Sequence, residues 1–169
     1  MIHSFWAPNL SRQIDATPNI GTIAYIYAYK TGVFPGACYE YCGADHAWMQ
    51  FRVVVDTPAQ YAAWISHMSQ PAAQPLSLSA QNGEQLFFGA TCSSCHTIDG
   101  TPAAGKAAPN LTHEASRWAI AGGVLPMSQQ NLARWVNDPN AYKPGALMPA
   151  FHFNSKQLQD LSAYLAGLK

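Results

Sequence analysis

The pattern of apolar and polar positions changes period along the chain. Residues 21–29 alternate Ile23, Tyr25, Tyr27 and Tyr29 with Thr22, Ala24, Ile26 and Ala28, which is the period of two that predicts a strand. Residues 51–55 are β-branched and set Phe51 and Val53 against Gln50 and Arg52, a second predicted strand. Between them, Lys30-Thr31-Gly32 is a turn signal, and Phe34-Pro35-Gly36-Ala37 leads into a cysteine-bearing loop. The loop is therefore expected to lie between two strands. At Thr57-Pro58 the period shifts. An N-cap followed by proline at the first helical position predicts a short helix, with Tyr61, Trp64, Ile65 and Met68 on one face to close the first domain.

Helical spacing dominates the second half. Ser79 to Gly89 points Leu86, Phe87 and Ala90 toward a core, and Gly83 leaves room for another helix to cross closely. Ser155 is expected to cap a final helix with Leu158, Leu161, Tyr164, Leu165 and Leu168 on its apolar face. Two short helices are predicted between them. One runs from about Thr112 to Ala121 and ends at Gly122-Gly123; the other starts at Ser128, presents Leu132, Trp135 and Val136, and stops before Pro139. The pattern predicts two domains, residues 1–70 and 78–169, joined by a Pro-containing linker over 71–77.

Composition removes several function classes. The 169 residues carry nine basic and nine acidic side chains, so no basic surplus exists to neutralise phosphates, and nucleic acid is excluded as a partner. No apolar run approaches the ~20 residues of a membrane span. The polar His3 and Ser4 stand within three residues of Met1, which is not the pattern of a signal peptide.

The four cysteines form two close pairs, Cys38/Cys42 and Cys92/Cys95, each with histidine nearby. Disulfide frameworks usually scatter their cysteines, whereas close pairs with histidine are a metal or haem pattern. Residues 38–49 combine the thiols of Cys38 and Cys42, the imidazole of His46 and the thioether of Met49. That soft donor set selects copper, and two cysteines rather than one suggest two metals bridged by sulfur. The alternative, a small-loop disulfide in a non-redox binding module, leaves His46 and Met49 unexplained. His3, among aromatic neighbours, fits either a hydrogen-bonded core histidine or a ligand. Cys92-Ser93-Ser94-Cys95-His96 reads as covalent haem attachment, with His96 placed to ligate iron. No second Cys/His pair follows to complete a zinc site. Met127, Met148, His113 and His152 are candidates for the opposite iron face. Met148 has the better context, because prolines stiffen its loop Lys143-Pro144-Gly145-Ala146-Leu147-Met148-Pro149.

Ile2-His3-Ser4-Phe5-Trp6-Ala7-Pro8, Ile14-Asp15-Ala16 and Cys38-x-Glu40-x-Cys42-Gly43-x-x-His46-x-x-Met49 resemble the dinuclear copper (CuA) domain of cytochrome c oxidase subunit II over most of residues 1–56. Residues 78–169 resemble class I cytochrome c, with Ala108-Pro109-Asn110-Leu111 matching the segment that supports the axial histidine. The resemblance implies an all-β cupredoxin-like Greek-key sandwich, incomplete at its N-terminus, followed by an all-α cytochrome c fold. It implies that Cys38 and Cys42 bridge two coppers, that His3 and His46 each bind one, that Met49 is a weak axial ligand and that Glu40 donates its carbonyl. The Glu40 carboxylate would also reach a magnesium ion at the boundary with the catalytic subunit. In the second half it makes His96 and Met148 the axial ligands, Pro109 the acceptor of the His96 ring N–H, and Trp135 a neighbour of a haem propionate.

The function so implied is that of an electron-entry subunit. Electrons would pass from a donor (a cytochrome c, a copper protein or a quinol-oxidising complex) through haem c to the copper pair and on to catalytic subunit I, where oxygen is reduced. The chain itself then needs no acid, base or nucleophile, and none stands out. The resemblance places it on the extracytoplasmic, periplasmic side of a bacterial membrane. It also implies transmembrane helices and first strands before the segment matching His3, so the chain is expected to be a fragment, begun at a miscalled start. Nitrous oxide reductase shares the dinuclear copper motif but has tryptophan where this chain has Glu40 and no fused cytochrome. A soluble cytochrome c carrier, using only the second half, is the other alternative.

Overall fold

The structure, a computed structural model, describes residues 1–169 and divides into two units, Met1–His67 and Met68–Lys169. In the first, strand β1 (His3–Phe5) pairs antiparallel with β2 (Ile14–Ala16), and β3 (Gly32–Ala37) pairs antiparallel with β4 (Gln50–Val55). The expected alternation in β4 is present: Phe51, Val53 and Val55 are half-buried while Gln50, Arg52 and Val54 face solvent. The β3–β4 register ends at Ala37 opposite Gln50, so the hairpin holds residues 38–49 as its connecting loop. A single bridge between Trp6 and Ala37 ties the two ladders together, and the Phe5 and Phe51 rings stack with centroids 4.5 Å apart. Only glycine fits at position 36, where a Cβ would stand 2.3 Å from the Phe51 ring and 2.8 Å from the Trp6 carbonyl.

Three expectations for this unit change. Residues 21–29 form no strand, and Tyr25 and Tyr29 are 88% and 90% exposed. One backbone bond, from Tyr27 N–H to the Leu10 carbonyl, reaches the segment, so it has no ladder to join. Alternation marks a face; a strand also needs a neighbour for its amides and carbonyls. Consequently there are two two-stranded ladders here and no Greek-key sandwich. Helix α1 (Pro58–Met68) does form, capped reciprocally by Thr57 and Gln60, yet none of its residues is buried and its Tyr61–Trp64 face lies open instead of closing a core.

The second unit contains α2 (Leu78–Gly89), α3 (Cys92–Cys95), the short ladder β5 (Ala119–Ile120) with β6 (Leu125–Pro126), α4 (Gln129–Asn137), α5 (Pro139–Tyr142) and α6 (Ser155–Gly167). Phe87, Ile98, Leu132, Val136, Leu161 and Leu165 form the centre of its core. Helices α2 and α6 cross at Gly83, where a Cβ would sit 2.0 Å from the Asp160 carbonyl oxygen. Beside the crossing, the buried Asp160 carboxylate accepts hydrogen bonds from Ser79 of α2 and from Lys156.

Local corrections follow from where backbone groups find partners. In place of a helix over 112–121 there is one tight turn at Glu114–Ser116 and then β5. The Ala115 N–H donates to the Leu168 carbonyl and the Met127 N–H to the Trp118 carbonyl, so amides and carbonyls a helix would use internally are spent elsewhere. The β5–β6 ladder also means that this unit is not purely helical. Asn154, not Ser155, caps α6, in a reciprocal box with Gln157. Within the expected linker, Ala72 is buried against the second unit's core and its N–H donates to Asp99.

Candidate metal and haem sites

The hairpin end and strand β1 converge on two thiols. Cys38 and Cys42 are buried and free, with Sγ atoms 3.8 Å apart. That is well outside the ~2.05 Å of a disulfide bond. His3 on β1 places Nδ1 3.9 Å from the Cys38 sulfur, and His46, on the single turn His46–Trp48, places Nδ1 3.6 Å from the Cys42 sulfur. The His3, Cys38 and Cys42 donor atoms all lie within 4.8 Å of one another. Each cysteine thus has its own imidazole.

The donor set fits bound metal. A thiolate or imidazole bond to a first-row ion is about 2.0–2.3 Å long. Sulfurs 3.8 Å apart can therefore share one ion, and each sulfur–nitrogen pair at 3.6–3.9 Å can do so as well. Soft sulfur with imidazole is the set that suits copper. The Glu40 carbonyl lies 3.3 Å from the Cys38 sulfur, and the Glu40 carboxylate accepts from Gln13 Nε2 at 3.2 Å. Met49 reaches the site through its backbone, its carbonyl accepting from the Cys38 N–H at 3.0 Å, while its side chain is 37% exposed. The structure thus brings His3, Cys38, Glu40, Cys42 and His46 together, with the Met49 backbone bonded to Cys38 beside them.

The two thiols differ electrostatically. Burial, the largest single influence, would raise Cys38, but the hydrogen bonds around its sulfur, the Ser4 N–H at 3.4 Å first and then the Glu40 backbone and Cys42, together outweigh it and hold the thiol below its ordinary range. Burial raises Cys42, and the neighbouring Cys38 raises it further. Sequence reading missed Ser4, whose signal was a polar residue in the middle of an aromatic strand, and Gln13.

The second site is built around α3. Thr91, in the left-handed region at φ 67°, turns the chain into Cys92–Cys95; the Cys92 thiol is half-buried, with burial pushing it up, and Cys95 is exposed. The next loop folds back tightly on the motif. Gly105 N–H donates to the His96 carbonyl, Ala108 N–H to the Cys95 carbonyl, and a Cβ at Gly105 would lie 2.5 Å from Cys95 backbone. His96 Nδ1 is 2.8 Å from the Pro109 carbonyl. A carbonyl can only accept, so Nδ1 carries the proton and Nε2 keeps the lone pair that an iron ligand needs. Met148, Trp135, Phe151 and Met127 are half-buried against the core. Of the other candidates, His113 is buried and bonds through Nε2 to the Gln70 carbonyl, and His152 is exposed.

Comparison with known proteins agrees with this division. Residues 80–169 match the family model for cytochrome c, and residues 1–57 match that for the periplasmic domain of cytochrome c oxidase subunit II. Cytochrome c oxidase subunit 2 of Alkalihalophilus pseudofirmus is 37% identical over 170 residues, covering 100% of this chain and 49% of the relative. The protein of the same name from Bacillus sp. strain PS3 is 36% identical over 180 residues, covering 99% and 50%. That of Bacillus subtilis is 32% identical over 178 residues, covering 99% and 50%. The chain spans about half the length of these curated relatives.

Proposed function

The chain belongs to the cytochrome c family through residues 80–169 and to the cytochrome c oxidase subunit II family through residues 1–57, and from that premise we propose that it is the electron-entry portion of a haem–copper terminal oxidase. The observation that carries this reading is the pair of thiols 3.8 Å apart, each facing one imidazole nitrogen, in the same chain as a Cys92-x-x-Cys95-His96 haem motif. Covalent haem and a dinuclear copper centre would each supply reversible one-electron chemistry, on a route from a reduced donor to catalytic subunit I.

The chain's part is to hold ligands still. Cys38 and Cys42 would bridge the coppers, His3 and His46 would bind one each through Nδ1, and the Glu40 carbonyl would complete the set. Met49 would join as a weak axial ligand. Both sulfurs are buried, and anchoring to β1, β3 and β4 would hold their spacing when the site takes up or gives up an electron. Cys92 and Cys95 would form the two thioether links, His96 and Met148 would be axial, and Trp135 would pack beside a propionate. The Pro109 carbonyl fixes the His96 ring and its tautomer. The Glu40 carboxylate, which accepts from Gln13, would supply an oxygen donor for a magnesium ion at the subunit I boundary.

No helix of the chain is long and apolar enough to cross a membrane. An extracytoplasmic position on the oxidase, with cytochrome c, a copper protein or a quinol-oxidising complex as donor, accords with the periplasmic-domain match. Metal analysis of the copper-loaded, haem-bearing chain tests the reading. About two coppers and one iron per chain are expected; iron alone would leave a simple cytochrome carrier.

A further inference from the structure

Ser4 occupies an unusual place in the β1 ladder. Trp6 and Ala37 form an antiparallel bridge, with the Ala37 N–H donating to the Trp6 carbonyl at 3.1 Å. In a strand, every second residue turns its amide and carbonyl to the same side. Two steps along the bridge, Ser4 should therefore pair with Tyr39 by backbone bonds. It does not. The Tyr39 N–H donates instead to the Ser4 hydroxyl at 2.6 Å, and the Ser4 N–H points at the Cys38 sulfur at 3.4 Å. The side chain has taken over the ladder bond, leaving the amide for the sulfur. Ser4 is 6% exposed, so neither bond is shared with water.

From this geometry we infer that Ser4 is a positioning residue of the copper site. Its hydroxyl fastens the cysteine loop to β1 and so sets the spacing of the adjacent His3 from Cys38; its amide supplies the hydrogen bond that tunes the Cys38 thiolate. Hydrogen bonds to metal-bound sulfur shift the electronic properties of a centre, and loss of an outer partner typically weakens metal binding by about 10- to 100-fold. The inference rests on the reading that Cys38 and Cys42 bind copper.

The experiment uses the full haem-bearing chain loaded with copper, and compares wild type, Ser4→Ala and Ser4→Thr. Three properties are read: copper affinity by chelator competition, the electron paramagnetic resonance spectrum of the loaded site, and amide exchange at Tyr39. Ser4→Ala should lose exchange protection at Tyr39, release copper at about 10- to 100-fold lower chelator concentration, and show an altered copper spectrum. Its haem spectrum should stay unchanged, which reports that the chain is intact. Ser4→Thr keeps the oxygen and should restore both affinity and spectrum. An unaltered spectrum and affinity in Ser4→Ala would overturn the inference, as would equal loss in both variants, because the hydroxyl would then not be the cause. A wild-type chain that binds no copper would remove the reading beneath it as well.

Discussion

Single atoms decide what the two sites can hold. Because one sulfur is shared between two donor pairs, Cys42→Ser should abolish copper binding rather than halve it, while iron content stays at about one per chain by metal analysis. Met148→Ala should convert a low-spin Met/His haem spectrum to a high-spin one; an unchanged spectrum would transfer the ligand role to Met127. Thiols must lose their protons to bind metal. The Cys42 thiol, raised by burial and by Cys38, is the later of the two to ionise, so copper loading should weaken as pH falls, measured as retention against a fixed chelator. At the helix crossing, Asp160 is held below the usual carboxylate range by Lys156 first and Ser79 second. A depressed carboxyl stabilises the fold above its unfolded pKa of about 3.9 and loses that contribution as pH falls through its lower folded value. Melting curves of wild type and Asp160→Asn, followed by haem absorption, should differ at neutral pH and converge in strong acid.

Elements set how these residues meet. The β3–β4 hairpin brings Cys38 and Met49 together at its end, and Gly36 permits that approach by admitting the Phe51 ring. Gly83 does the same for α2 and α6, so Gly83→Ala should destabilise the second unit by at least about 1–3 kcal/mol, the range for overpacking, read as a lowered melting point of the haem band. The Gly83 crossing and the β4, α2, α4 and α6 faces could be read in the chain, because each follows from spacing along an element; the approach of Phe51 to Gly36 could not. The strand expected at residues 21–29 could not, since nothing local tells whether a ladder lies beside it. The helix expected over 112–121 failed for a related reason: its amides are claimed by Leu168 and by the β5–β6 ladder, partners distant in sequence. At the sites, motif spacing singled out the cysteines, His46 and His96 as candidates. The approach of His3 to Cys38 spans 35 positions, so the residues alone left His3 open and only the family resemblance implied it, while the direction of the Ser4 amide depends on the folded backbone.

On the scale of the whole molecule, the two donor clusters lie in separate units. The proposed copper ligands come from residues 3–49 of the first, and the haem motif and its support from residues 92–109 of the second. Neither site borrows a residue from the other unit, so removing copper with a chelator should leave the haem spectrum unaltered. On the proposed reading one polypeptide carries two independent one-electron centres, and an anaerobic reductive titration of the loaded chain counts them directly. Uptake of about two electrons per chain is expected, one following the haem bands and one the copper signal; uptake of one electron, all of it at the haem, would leave no copper centre in the chain.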